Sequence, residues 1–135
     1  MVHVYPFQAV RPAPGKAEEI AAVPYDVVSA EEAREIIEKN PLSFLRISRA
    51  DALLPDKDPY SADVYKLSRD IFDEYQNSGL FLQDETAAMY VYRVHDADRT
   101  YTGIACCADT REYESGEIRR HELTRYDKEE DRTRH

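Results

Sequence analysis

The chain has 135 residues, 42% hydrophobic and 33% charged, a composition typical of one globular domain with one moderate core. Its formal net charge of -9 disfavours nucleic acid as a partner, because an acidic surface repels phosphate backbones. No apolar run approaches the roughly 20 residues of a membrane span, and the start lacks the charged and apolar regions of a secretory signal. We therefore expect a cytoplasmic protein that binds neither nucleic acid nor membrane.

The first half of the sequence predicts short strands that alternate with helices. Strands are expected over residues 2–10 and 42–47, which are rich in β-forming and apolar residues. A short helix is expected over residues 16–22, and a rigid extended connector over residues 23–28. The next helix begins with a capping box formed by Ser29 and Glu32, runs through Glu38 and buries Ala33, Ile36 and Ile37. Asn40-Pro41 ends it, and residues 49–59 form a polar loop.

The second half predicts the longest helix, over residues 62–78, followed by a hairpin. Apolar residues recur there at three- and four-residue spacing on one face: Val64, Leu67, Ile71, Phe72 and Tyr75. Gly79 is placed to cap this helix in a left-handed conformation. Strands over residues 87–95 and 100–108 are separated by Asp96-Ala97-Asp98-Arg99, a turn-forming sequence.

These elements predict an α+β fold, in which a mixed β-sheet with a hairpin in its C-terminal half packs against two to three helices. We expect the domain to cover residues 1–110. Residues 111–135 are a highly charged tail with a helix over residues 128–135, which Asp127 would cap. Because the tail has few apolar residues to bury, we expect it to lie against a later region of a longer protein. The adjacent Cys106 and Cys107 fit no metal or redox motif, which favours free thiols in a reducing compartment.

Three stretches of the sequence resemble the N-terminal region of domain-of-unknown-function family 1015 (DUF1015). They are Pro6-Phe7-Gln8-Ala9-Val10-Arg11-Pro12, Val23-Pro24-Tyr25-Asp26-Val27-Val28-Ser29, and Arg120-His121-Glu122-Leu123-Thr124-Arg125 running into Asp127-Lys128-Glu129-Glu130-Asp131-Arg132. Tyr126 stands where the family pattern would have a proline. The resemblance covers essentially the whole chain.

The resemblance also implies a function. Family members carry a later Asp-Gly-His-His-Arg motif similar to one in free-serine kinases of the ParB/sulfiredoxin-like superfamily, and that motif does not occur in this sequence. What it implies is a nucleotide-dependent phosphotransferase that uses ATP or ADP with Mg²⁺ and acts on a small molecule, of which this chain would be the N-terminal part. On that basis we expect the chain alone to have no turnover with ATP or ADP and free serine.

The charged tail offers the residue types that phosphoryl transfer needs, namely cations for phosphate oxygens and a carboxylate for a metal or a proton. In this interpretation His121 and Arg125 contact phosphate, and Glu122 acts as a base or metal ligand. Lys128 and Arg132, four residues apart, share a helix face and bind phosphate as well. The alternative is a solvated charged helix held by internal ion pairs. The sequence has no zinc motif at this place, because no second histidine follows His121 at helical spacing.

Tyr25 and Asp26 form the second candidate, as substrate- or phosphate-binding residues. Pro24 fixes the backbone before them, so both side chains would project from a stiff turn. The alternative makes Asp26 a turn former and Tyr25 a core ring with its hydroxyl at the surface.

Two classes of function therefore stay open at the level of sequence. The first is the N-terminal part of a nucleotide-dependent, free-serine-like small-molecule kinase. The second is a non-catalytic interaction or regulatory domain whose charged tail docks a partner. The sequence specifies neither the oligomeric state nor a resident metal.

Overall fold

The computed structural model describes residues 2–119, 130, 131 and 133–135. These residues form two compact units, residues 2–11 with 83–119 and residues 12–82 with 130, 131 and 133–135. We call them the hairpin unit and the helical unit. The strands β2 (Val10–Pro12) and β3 (Phe81–Gln83) each cross the boundary along the chain. The predicted division into residues 1–110 and 111–135 stays a prediction.

The hairpin unit is built from antiparallel strand pairs. In the hairpin itself, β4 (Tyr90–His95) pairs with β5 (Thr100–Ala105), so that Val91 lies opposite Ile104. The strand β1 (Val4–Tyr5) pairs with β6 (Cys107–Ala108). The short helix α5 (Thr110–Glu114) follows, with the Asp109 carboxylate accepting a hydrogen bond from the backbone N–H of Arg111.

Polar contacts join the two stretches of sequence that make up the hairpin unit. The Arg11 guanidinium donates to both oxygens of Asp84, with its closest contact at 2.6 Å. The Tyr90 hydroxyl donates to the same carboxylate at 2.6 Å, and the Arg11 guanidinium lies 5.5 Å from the centre of the Tyr90 ring. His3 bonds Glu112 through both its backbone N–H and its ring Nδ1, which fastens the start of the chain to α5.

The helical unit contains α1 (Ala17–Ile20), α2 (Ala30–Lys39), α3 (Leu45–Ser48) and α4 (Ala62–Asn77). One cluster of its core contains Ile20, Ile47, Ile71, Tyr75 and Phe81, and a second contains Ala33, Ile37, Leu45 and Ala52. The buried side chains of α4 are Val64, Ser68, Ile71 and Tyr75, while Leu67 and Phe72 are half-buried.

Several sequence predictions are confirmed. The fold class is α+β, with the predicted hairpin and packed helices. Ser29 and Glu32 form the reciprocal capping box at the start of α2, and the long helix α4 begins at Ala62 as expected. Gly79 has a φ of +79°, in the left-handed region that favours glycine after a helix.

The predicted strand over residues 42–47 is wrong, because this segment is helical. The backbone N–H of Ile47 and that of Ser48 both donate to the carbonyl of Phe44, and the N–H of Arg49 donates to that of Leu45. A turn closed by Ser43 N–H on the Asn40 carbonyl precedes them, so the chain already curls before α3. Short apolar runs do not distinguish a strand from a buried helical turn.

Three smaller predictions, for the connector, the polar loop and the first strand, are also corrected. The connector over residues 23–28 contains a 3-10 helix, Tyr25–Val27, and the polar loop contains another, Ala50–Leu53. The strand expected over residues 2–10 is divided into β1 and the start of β2. Of the helix predicted over residues 128–135, Glu130, Asp131, Thr133 and Arg134 are helical, and its beginning lies outside the described residues.

Candidate functional site

A cavity of about 700 Å³ lies in the helical unit, beside α3 and α4. Its volume falls in the range of about 300–1,000 Å³ that is usual for small-molecule sites. We call it the aromatic cavity. It is lined by Tyr25, Phe44, Ile47, Ser48, Tyr65, Lys66, Ser68, Arg69, Phe72, Asp131, Arg134 and His135.

Aromatic rings form much of its wall. The rings of Phe44 and Phe72 both pack against buried Phe81, with centroid distances of 6.2 and 5.7 Å. The Tyr65 ring meets His135 edge-on at 5.2 Å. Phe44 remains 37% exposed, and Tyr65 and Phe72 are half-buried. Apolar surface of these rings therefore stays accessible inside the cavity, where a bound ligand can cover it.

Three cations line the same cavity, and each is largely exposed. The side chains of Lys66, Arg69 and Arg134 are 76, 82 and 54% exposed. Each pairs with a carboxylate four residues away: Lys66 with Asp70 at 2.9 Å, Arg69 with Asp73 at 3.8 Å, and Arg134 with Glu130 at 3.0 Å. Exposed pairs of this kind contribute about 1 kcal/mol or less, so an anionic ligand can compete for the cations.

Hydrogen bonds hold the end of the chain against α4. The Tyr65 hydroxyl donates to Asp131 Oδ1 at 2.9 Å. Burial, together with this bond, raises the pKa of Tyr65 to about 12, so the phenol keeps its proton and remains a donor near neutral pH. Ser68 donates to the Ile47 carbonyl at 2.8 Å, and its oxygen lies 3.4 Å from His135 Nδ1. These contacts place Asp131 and His135 in the cavity wall.

A second, more polar cavity of about 330 Å³ shares four lining residues with the first, namely Tyr25, Ser48, Asp131 and His135. We call it the polar cavity. Its other lining residues are Asp26, Val28, Ala30, Arg49, Asp51, Pro59 and Tyr60. The shared residues show that the two cavities are neighbours in the helical unit.

Arg49 fixes the turn that contributes Tyr25 to both cavities. Its Nε and one terminal nitrogen donate to the two oxygens of Asp51, each at 2.9 Å. The other terminal nitrogen donates to the carbonyls of Tyr25, at 3.1 Å, and Val28. The Asp51 bond raises the pKa of Arg49, which is always charged. With its donors directed to Asp51 and to the turn, Arg49 is a structural cation in this wall.

Two site residues predicted from the sequence, Tyr25 and Asp26, lie at these cavities. Tyr25 lines both cavities, and Asp26 lines the polar one with its side chain exposed. The predicted residues His121, Glu122, Arg125, Lys128 and Arg132 lie outside the described residues. Their roles stay predictions.

Sequence reasoning missed other lining groups. The sequence pattern did not single out Lys66 and Arg69, and Asp131, Arg134 and His135 were considered only as part of the charged tail. Tyr65 and Asp131 are 66 positions apart in the sequence, so no local pattern signals their contact. Lys66 and Arg69 are three residues apart beside the apolar face of α4. This spacing was the available sequence signal that both could line one site.

In the part of the chain that the structure describes, no three side chains of His, Cys, Asp or Glu are grouped so that they could hold a metal ion. Within the same residues, no helix has both the length and the apolar character needed to cross a membrane.

The family model described as "Protein of unknown function (DUF1015)" matches residues 4–135, so the chain belongs to this family. No curated protein and no solved structure matches it significantly.

Proposed function

Starting from membership of DUF1015, we propose that this chain is the nucleotide-binding part of a small-molecule kinase, with the nucleotide in the aromatic cavity. One observation carries the proposal: a cavity of ligand size combines accessible aromatic rings with three exposed cations. A nucleotide presents the matching groups, a flat base and a polyanionic phosphate chain.

The cations suit the phosphate chain because they can exchange weak surface partners for a stronger one. Among the described residues, Lys66, Arg69 and Arg134 each pair with one carboxylate at the surface. A phosphate offers more oxygen acceptors and more negative charge, and bonds between charged groups are about twice as strong as neutral ones. Phosphoryl transfer relies on such neutralisation of oxygens rather than on covalent chemistry by the protein.

The neighbouring polar cavity is where the proposal places the acceptor, a small hydroxyl-bearing molecule such as free serine. It adjoins the aromatic cavity through Tyr25, Ser48, Asp131 and His135. Two substrates must lie in contact for direct transfer, and positioning of that kind supplies much of the rate enhancement of such enzymes. Mg²⁺ would accompany the nucleotide and neutralise its phosphates.

Calorimetric titration of the chain with ADP and with ATP, with and without Mg²⁺, tests the proposal. We expect saturable binding with one site per chain. Lys66→Ala should weaken it about fivefold, because the phosphate replaces the existing Asp70 partner and the net contribution of the exposed lysine is about 1 kcal/mol.

Lys39→Ala is the matched control. Lys39 is also an exposed helical lysine, 79% accessible, with a carboxylate four residues away on Glu35 at 3.9 Å, but it lines neither cavity. This variant should change the dissociation constant less than about twofold. Equal losses in the two variants would mean that the cations act through overall charge alone. A folded chain that binds neither nucleotide would favour the alternative, a non-catalytic interaction domain.

A further inference from the structure

The aromatic cavity is lined by two kinds of side chain, aromatic rings and cations. Their different surroundings determine how a ligand is oriented. Phe44 and Phe72 rest on the buried ring of Phe81, so their positions are set by the core. Lys66 and Arg69 are in contrast more than three-quarters exposed. The aromatic part of the cavity is therefore packed on the core, whereas its charged part is exposed to solvent.

We propose that the cavity recognises its ligand chiefly through a flat aromatic ring system held against Tyr65, Phe72 and Phe44, with the anionic part directed to the exposed cations. The inference rests on the proposed function in taking a nucleotide as the ligand. It assigns the larger share of affinity to the base and the smaller share to the phosphates.

The affinity that each contact contributes depends on the contact that it replaces. A ring that enters the cavity covers apolar surface that folding has left in water, and rings already fixed by packing lose little conformational freedom. A phosphate that meets Lys66 or Arg69 must displace water and an existing carboxylate, Asp70 or Asp73, so its net gain is smaller.

Tyr65 is the best-placed ring for a test, because two features of its side chain can be separated. Its hydroxyl donates to Asp131, and its ring lies in the cavity wall against His135. Tyr65→Phe removes the hydrogen bond and keeps the ring, whereas Tyr65→Leu removes both. If ring contact holds the base, the two variants will differ in base affinity.

Three probes divide the ligand into its parts: adenosine, ADP and inorganic tripolyphosphate, each titrated into the 135-residue chain by calorimetry. We expect adenosine to bind within about tenfold of ADP and tripolyphosphate to bind far more weakly. Tyr65→Leu should weaken adenosine about tenfold relative to Tyr65→Phe, the size expected for one base–aromatic stack. Phe44→Leu, at a partly exposed ring, provides a second variant if Tyr65→Leu does not fold.

The outcomes separate this inference from the proposed function. Tripolyphosphate that binds as tightly as ADP, with adenosine undetected, overturns ring recognition and leaves a nucleotide site in place. Equal adenosine affinity in folded Tyr65→Leu, Phe44→Leu and unaltered chains overturns it as well. Failure of all three probes to bind the folded chain overturns both.

Discussion

Ile71→Ala tests the packing that supports the aromatic cavity. Ile71 is 3% exposed and lies in the core cluster with Ile20, Ile47, Tyr75 and Phe81. The substitution removes three carbon groups, which at about 0.8 kcal/mol each amount to about 2.4 kcal/mol of lost apolar burial. The residual cavity adds to this, so we expect a loss near 3 kcal/mol, within the range of about 2–5 kcal/mol found for such truncations.

Urea unfolding followed by circular dichroism at helical wavelengths is the suitable assay, since the long helices α2 and α4 both belong to the helical unit. The control is Val27→Ala, an apolar truncation in the same unit at a side chain that is 65% exposed. It should cost less than about 0.5 kcal/mol. A loss below about 1 kcal/mol for Ile71→Ala, with an unchanged urea dependence, would refute the assignment of Ile71 to the core.

Two further predictions concern helix capping and pH. Ser29→Ala removes the oxygen that accepts from the Glu32 N–H at 3.2 Å and should lower the free energy of unfolding by about 1 kcal/mol in the same urea assay; an unchanged midpoint would contradict a stabilising capping box. The Glu112 carboxylate raises the pKa of His3 above its ordinary 6.5, and His3 in turn lowers the pKa of Glu112 below its ordinary 4.5. The His3 contribution to stability is therefore complete below pH 6.5 and lost as pH rises through the raised pKa, whereas that of Glu112 is complete above pH 4.5 and lost as pH falls through the lowered one. An NMR titration of the His3 ring should show its pKa falling towards 6.5 in Glu112→Gln, and an identical titration in both proteins would exclude the pairing.

Elements with a local cause were predictable from the sequence. The capping box needs only Ser29 and Glu32, three residues apart, and the apolar spacing of α4 comes from a single turn repeated along one helix. The hairpin was equally local, because its turn and both strands are consecutive in the chain.

The predictions that were wrong or missing concern features that depend on contacts between residues far apart in the sequence. The segment at Phe44 is apolar enough for a strand, but its N–H donates to the carbonyl of Ile20, 24 residues earlier in the sequence, and its own carbonyl begins α3. Tyr25 was predicted as a site residue because Pro24 stiffens its turn, whereas Tyr65 and Asp131, which line the same cavity, were not predicted as site residues. A cavity forms only when separate parts of the chain pack together, so no periodic pattern in the sequence predicts its lining.

The role of Arg49 has a consequence for how the cavity wall responds to temperature. Apolar burial anchors this turn only in part: Val28 packs against the second core cluster, whereas Val23 and Val27 are 47 and 65% exposed. Guanidinium bonds to the carbonyls of Tyr25 and Val28 supply a further attachment. Apolar attraction weakens on cooling, whereas these bonds do not depend on the release of water from apolar surface. In the cold, the wall at Tyr25 therefore keeps its place while the apolar core beneath it loses part of its driving force.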